Sequence, residues 1–304
     1  MQPIMNYIKH PANLGDALVH RFGQWLPDST YIKLRYLFQM GRRLNLKNPQ
    51  TFQEKLQWLK LHDHNPEYTM MVDKVKVKGY VSEKVGDQYV IPLLGVWERA
   101  EDIEWEKLPR RFVLKTNHSG GNTGVIICRD KETLDREDAV KKLNESLKSD
   151  VYRNLREWPY KNIERRVLAE AYMEDEYGEL RDYKFFCFDG EVKALFIATD
   201  RQTPGVDLKF DFFDADYRHL DVRQGHPNSE IPPKMPVSFE EMKRVASVLS
   251  KGIPHVRVDF YEINGRPFFG ELTFCHFGAM VPFEPEEWDY KFGKWLDLSK
   301  VKQQ

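Results

Sequence analysis

The chain has 304 residues, with Lys+Arg 46 balanced by Asp+Glu 47, a formal charge of -1 and a pI near 6.8. That balance gives no bulk electrostatic case for nucleic acid. Its three cysteines, Cys128, Cys187 and Cys275, form no CxxC pair, which argues against structural zinc or a disulfide framework, and the length allows about two domains with a core able to fold unaided.

Met1 to His20 carries Lys9 and Asp16 and has no long apolar run, so a secretory signal or spanning helix is not expected. A cytoplasmic location follows, which includes the inner face of the membrane. Tyr31 to Leu46 places Ile32, Leu34, Leu37, Phe38 and Met40 near helical spacing, with basic residues between them. An amphipathic helix packed on its own domain is expected, although such basic stretches also lie on anionic membrane. Thr51 and Glu54 have capping-box spacing, so a helix should start there and bury Phe52, Leu56, Trp58 and Leu59.

Tyr68 to Val85 reads as one lysine-rich helix, in which Asp73-Lys74 alone is an ordinary solvated pair. Gln88 to Leu94 reads as a short strand, and Leu108-Pro109 ends a charged connection that suits a domain boundary. Arg111 to Cys128, R-F-V-L-K-T-N-H-S-G-G-N-T-G-V-I-I-C, is strand, glycine-rich turn, strand. Without G-K-[ST] and without a following helix, it is neither a Walker A loop nor a dinucleotide fingerprint. Either it is a plain turn beside an exposed lysine, or its open backbone amides cover phosphates while Lys115 supplies charge.

Asp135 to Lys148 reads as a charged helix. Arg166 to Met173 is a buried-type strand carrying Glu170, and Asp182 to Ala198 is a hairpin turning at Asp189-Gly190, with Lys184 among aromatics and in need of a counter-charge. Asp200 to Pro236 suits a long functional loop around short strands, and it includes Arg201. Phe239 to Lys251 is an amphipathic helix that Ser238 could cap. Pro282 to Gly293 is aromatic and should pack the end of the chain on the core.

Val256 to Phe274 is the most informative stretch. Asn264-Gly265 divides it into two strands. A two-residue loop would point Asp259 and Glu271 to opposite faces, whereas a three-residue loop ending at a left-handed Gly265 puts them on one face. The apolar residues Val256, Val258, Phe260, Phe268, Leu272 and Phe274 align only in the three-residue register, which gathers Arg257, Asp259, Glu271 and Thr273 on the other side. Two close carboxylates need a proton, a basic partner or a cation. A magnesium site for a nucleotide and an Arg257 to Glu271 salt bridge on a solvated face both fit.

Seven segments in order resemble the ATP-grasp superfamily, and within it the TupA-like group associated with bacterial surface polysaccharides. They are N-P-Q-T-F-Q-E-K-L-Q-W at 48–58, D-K-V-K-V at 73–77, F-V-L-K-T-N-H-S-G-G at 112–121, D-Y-K-F-F-C-F at 182–188, V-R-V-D-F-Y at 256–261, G-E-L-T-F at 270–274 and P-F-E-P-E-E-W-D-Y at 282–290. The resemblance implies an α+β ATP-grasp fold. Residues 1–109 would form a largely helical N-terminal region, 110–172 the small subdomain with the flap, and 173–304 the subdomain with the metal site.

It further implies that Lys74 and Lys115 contact nucleotide phosphates under a flap from Ser119 to Gly124 that includes Gly120 and Gly121. Glu170 would sit at the adenine hinge, Lys184 near the nucleotide, and Arg257 over the transferring phosphoryl group. Asp259 and Glu271 would hold Mg²⁺, with Thr273 standing where related ligases have asparagine. The implied reaction uses ATP and Mg²⁺ to join an amine or amino acid to a carboxylate, a uronic acid of a glycan or its precursor, through an acyl phosphate. A nucleotide-sugar glycosyltransferase, a sugar kinase on this fold and a non-catalytic nucleotide-binding module are the alternatives.

Overall fold

A computed structural model describes residues 11–120, 124–175, 180–200 and 205–301. Its architecture is α+β, as expected, with two antiparallel sheets. Helices α1 (Pro11–Phe22), α2 (Asp28–Met40), α3 (Phe52–His62), α4 (Glu67–Val72) and α5 (Lys76–Val85) precede the first strand, β1 (Leu93–Trp97). Strands β2 (Phe112–Thr116), β3 (Ile126–Cys128) and β4 (Val167–Ala171) join it in a sheet ordered β1-β4-β2-β3, backed by α6 (Arg136–Lys148) and followed across the connection by the short α7 (Val151–Leu155). The small sheet thus takes one strand from before residue 110.

The larger sheet contains β5 (Asp182–Phe188), β6 (Glu191–Thr199), β7 (Lys209–Asp214), β8 (His219–Leu220), β9 (Val256–Ile263) and β10 (Arg266–Thr273), in the order β10-β9-β5-β6-β7-β8. Helix α8 (Phe239–Leu249) packs Met242, Val245 and Leu249 with Phe185, Leu195 and Val258, filling one face. On the opposite face Phe52 and Leu56 of α3 and Phe292 of α9 (Glu287–Trp295) meet Phe186, Phe196 and Phe212. Because both faces are covered, the strands read as near-continuous apolar runs, and any charged residue among them needs a partner.

The capping box at Thr51 and Glu54 forms as expected. Helix α3 buries Phe52 and Leu56, but Gln53, Gln57 and Lys60 take the interior places expected for Trp58 and Leu59, which are only half-buried. The basic amphipathic helix starts at Asp28 and stops at Met40, where Gly41 adopts φ 67°. Its Arg35 is buried against Asp16 at 2.7 Å. Gln88 belongs to a short 3-10 turn before β1, and Ser238 does not cap α8, since its hydroxyl is bound to Glu262 instead.

Two departures from the sequence reading shape the cavity. The expected helix over 68–85 breaks at Asp73–Val75: the buried Asp73 carboxylate accepts from the amides of Val75 at 2.9 Å and Lys76 at 3.3 Å, starting α5 afresh. The β9–β10 hairpin has a two-residue loop, not three, with Asn264 at φ 52° and Gly265 at φ 70°, the primed turn that strand twist favours. A bulge at Gly270 then supplies the extra residue, so Glu271 lies opposite Asp259 and Phe269, rather than Phe268, meets Phe260 in the core.

Candidate active site

Strand register builds the site in two rows. Lys184 of β5, Asp259 of β9 and Glu271 of β10 are successive cross-strand partners; one step along, Phe186, Arg257 and Thr273 are too. Residues of adjacent rows two apart on a strand share a face, so Arg257 reaches its own strand's acid. Its Nε and Nη2 donate to the two Asp259 oxygens, each at 2.7 Å, while Nη2 also reaches Glu271 at 3.3 Å and Thr273 Oγ1 at 3.0 Å. Lys184 donates to Asp259 at 2.6 Å and lies 3.3 Å from Asp182.

Beyond the strand end, His276 Nδ1 accepts from Arg257 Nη1 at 2.6 Å, and its Nε2 faces Gln224 Oε1 at 3.1 Å. Burial together with the Arg257 charge holds His276 well below the ordinary histidine range, so it is neutral. The neutral ring accepts at Nδ1 and donates at Nε2, matching both partners.

Across the cavity the small sheet contributes a second ion cluster. Glu170, nearly inaccessible, pairs with Lys115 at 2.5 Å and with Lys78 at 2.7 Å. Lys74 bridges the two walls: the helix break aims its ammonium at Ser119 O at 2.7 Å and Glu271 at 3.2 Å, and its amide donates to Asn117 O at 3.0 Å. The Ser119 hydroxyl turns toward Thr116 and Ser146, which leaves only the backbone of Ser119 and Gly120 along the cavity. One cavity of about 1230 Å³ is lined by Lys74, Lys115, Glu170, Lys184, Asp259 and Glu271 together.

Burial by itself would raise the Glu271 carboxyl, but Lys74, Lys184 and Arg257 outweigh it and hold the group well below its ordinary range. Glu170 follows the same logic: burial raises it, and Lys115 and Lys78 bring it lower. Both groups therefore ionise more readily folded than unfolded. Their contribution to stability is complete above the unfolded carboxylate value of 4.5 and declines as pH falls below it. Thermal unfolding between pH 6 and pH 3 should show this, with the melting temperature of Glu271→Gln less sensitive to acid than that of the native chain.

The donor set, two carboxylates and a hydroxyl, is all oxygen and suits Mg²⁺. Among the described residues no cluster of three or more His, Cys, Asp or Glu side chains is placed to hold a metal. Mg²⁺ commonly takes one or two carboxylates and leaves its remaining positions to water and substrate phosphates, so two acids suffice.

A family model described as TupA-like ATPgrasp matches residues 54–297. The chain belongs to the TupA-like ATP-grasp family. Among solved structures this ATP-grasp chain is similar to the D-alanine–D-alanine ligase from Helicobacter pylori, at 12% identity and a TM-score of 0.45 over 83% of this chain and 69% of that one. D-cycloserine synthetase DcsG gives 16% identity and a TM-score of 0.43 over 77% of this chain and 71% of that one. For the D-alanine–D-alanine ligase from Bacillus anthracis the values are 19% and 0.40, over 67% of this chain and 57% of that one, so the chain spans less than two thirds of that protein's length. No curated protein matches in sequence.

Every expected site residue that is described, from Lys74 through Thr273, lines this one cavity except Gly124 at the end of the flap. Gly121 and the central flap residues lie outside the described residues, as does Arg201. Sequence reasoning missed Lys78, His276, Glu157 and Tyr160. Lys78 had a signal, as it lies four residues after Lys74, but the intervening break hides which face it shares. The other three come from turns, where no periodicity reports direction.

Proposed function

We propose that the protein is an ATP- and Mg²⁺-dependent carboxylate–amine ligase that joins an amino acid or simple amine to a uronic-acid-type carboxylate of a surface glycan or its precursor. The supporting observation is the single cavity in which Lys74, Lys115, Lys184 and Arg257 surround the cross-strand acids Asp259 and Glu271. Loose phosphoryl-transfer transition states are served by positioning and charge neutralisation rather than by a protein nucleophile.

In this reading Lys74 and Lys115 leave their carboxylate partners for the nucleotide phosphates, while the Glu170 strand end and the adjoining Tyr172 and Met173 border the adenine. Arg257 neutralises the phosphoryl group in transit, and Lys184 adds charge beside it. Asp259 and Glu271, with the Thr273 hydroxyl, hold Mg²⁺, which when bound screens the phosphate charge. The substrate carboxylate attacks the γ-phosphorus with loss of ADP, and the amine nitrogen then displaces phosphate from the acyl phosphate to form the amide. Val206, Leu208, Phe210 and the 36% exposed Phe277 give the outer part of the cavity an apolar wall against which a sugar ring could lie. No described helix is long and apolar enough to cross a membrane; work at the inner face of the membrane remains part of the proposal.

ADP release screened over uronic acids crossed with amines, with mass detection of products, tests this. A conjugate lighter than its two precursors by one water is expected. Phosphate gained on a sugar hydroxyl would instead assign the kinase reaction, and turnover of a nucleotide sugar without ATP would assign glycosyl transfer.

A further inference from the structure

One buried acid in the cavity has no part in the network above. Glu157 is 5% exposed, yet it lines the cavity with Tyr160, Arg257, Thr273 and Cys275. It sits in a turn fixed from both sides. Arg156 before it adopts φ 54°, its guanidinium donating to Gln24 O at 3.0 Å and lying 4.1 Å from the Tyr31 ring centre. On the other side, buried Lys60 spends its ammonium on the carbonyls of Leu155, at 3.0 Å, and Gly278, at 2.6 Å, tying this turn to the segment after β10.

That segment is itself unusual. Phe277, Gly278 and Ala279 run in succession at φ 50°, 60° and 58°, and Gln57 Nε2 holds two of their carbonyls at 3.1 and 2.9 Å. The left-handed run brings Gly278 under Glu157, close enough that a Cβ there would lie 3.8 Å from Glu157 Oε1. Two polar side chains from α3 are thus used to hold a costly backbone that frames one carboxylate. Among the described residues none donates a hydrogen bond to that carboxylate, although buried acids ordinarily have such partners.

We infer that Glu157 is the receptor for the ammonium group of the amine substrate and accepts a proton from it as the amide forms. The inference rests on the ligase reading. An ammonium supplies the hydrogen bonds that the carboxylate lacks, beside the Arg257 that faces the transferring phosphoryl group. A protonated amine has no lone pair, so the nitrogen must lose a proton before it can form the C–N bond. Glu157 takes that proton; the C–O bond to phosphate then breaks with its electron pair on phosphate, which carries away the second proton that the nitrogen releases.

The groups facing Glu157 are Lys60, Arg257, Tyr160 and Cys275. Burial raises the Glu157 carboxyl to about 7 against the pull of Lys60 and Arg257, so it exchanges a proton near neutral pH.

Hydroxylamine separates the two halves of the reaction, because it is largely neutral at pH 7 and attacks an acyl phosphate without a base. In Glu157→Gln the ratio of hydroxamate to amide should rise at least ~100-fold over the native enzyme, the lower end of the range for loss of a general base. The native enzyme at saturating amine should lose amide formation as pH falls below about 7, with no such limb for hydroxylamine. A variant in which both products fall together, or a native pH limb common to both nucleophiles, would refute the role of Glu157. If Glu157→Gln does not fold, the two native pH profiles alone decide. Failure of the native enzyme to give hydroxamate or ADP with any acid would remove the ligase reading itself, a result distinct from failure at Glu157.

Discussion

Replacing Glu271 by Gln should lower ADP release about 10³-fold and lower the melting temperature at pH 7 modestly, whereas Asp259→Asn should cost as much turnover and considerably more stability. The loss of turnover has one cause in the two variants: each removes one of the two carboxylates proposed for the metal, and preorganised charge of this kind is worth several kcal/mol in the transition state. Stability separates them. The Asp259 side chain is 1% exposed and satisfies both the buried Arg257 and Lys184, while 31% of the Glu271 side chain faces the cavity. Removing one partner of a buried ion cluster strands the others and costs about 3–5 kcal/mol, and loss of an acid partly open to the cavity costs less. Parallel ADP-release assays and melting curves check this. Native rates in both variants would end the metal role, and equal melting temperatures would show that Asp259 is not the buried anchor.

The hairpin that carries these acids shows what sequence makes legible. Alternation of Val256, Val258 and Phe260 against Leu272 and Phe274 requires Asp259 and Glu271 to share a face, and they do. The device that achieves it is a bulge at Gly270 rather than a longer turn, and sequence does not separate the two, because an extra residue in a turn and an extra residue in a bulge shift the register identically. Only the choice of Phe269 over Phe268 as the buried residue distinguishes them, and two adjacent phenylalanines give no preference.

Lys74 presents a different problem. Local propensity runs unbroken through 68–85, and the break comes from one aspartate carboxylate capping a new helix and from the Lys74 amide bonding to Asn117, far along the chain. Tertiary contacts of this kind override propensity without leaving a pattern in the sequence. The TupA-like resemblance placed Lys74 at the site where spacing could not.

The ion-pair network explains how so much charge is held between two sheets with apolar cores. Five cations, Lys74, Lys78, Lys115, Lys184 and Arg257, and four acids, Glu170, Asp182, Asp259 and Glu271, pair with one another around the cavity. Arrival of a triphosphate with its metal would exchange partners without creating unpaired charge: phosphates take the lysines, and the metal takes the acids. Buried charges are costly only while unpaired, so such a site can open and load without a large penalty at either stage.

Arg257 is the member whose place the metal would fill, and Arg257→Met tests that exchange. The substitution keeps the apolar stem but removes the donors to Asp259, Glu271, Thr273 and His276, leaving Asp259 and Glu271 opposed as cross-strand neighbours. Without divalent cation the variant should lose about 3 kcal/mol of stability, the low end of the range for removing one partner of a buried ion cluster, because Lys184 and Lys74 still pair with the two acids. Mg²⁺ should restore part of this, because a cation that binds the folded state stabilises it by mass action, and it binds more tightly where no guanidinium competes. Melting curves in chelator and then in rising Mg²⁺ should show a larger upward shift for Arg257→Met than for the native chain. Identical shifts, or none in either protein, would mean that the paired acids do not form a cation site, and the phosphoryl-transfer reading built on them would fall with it.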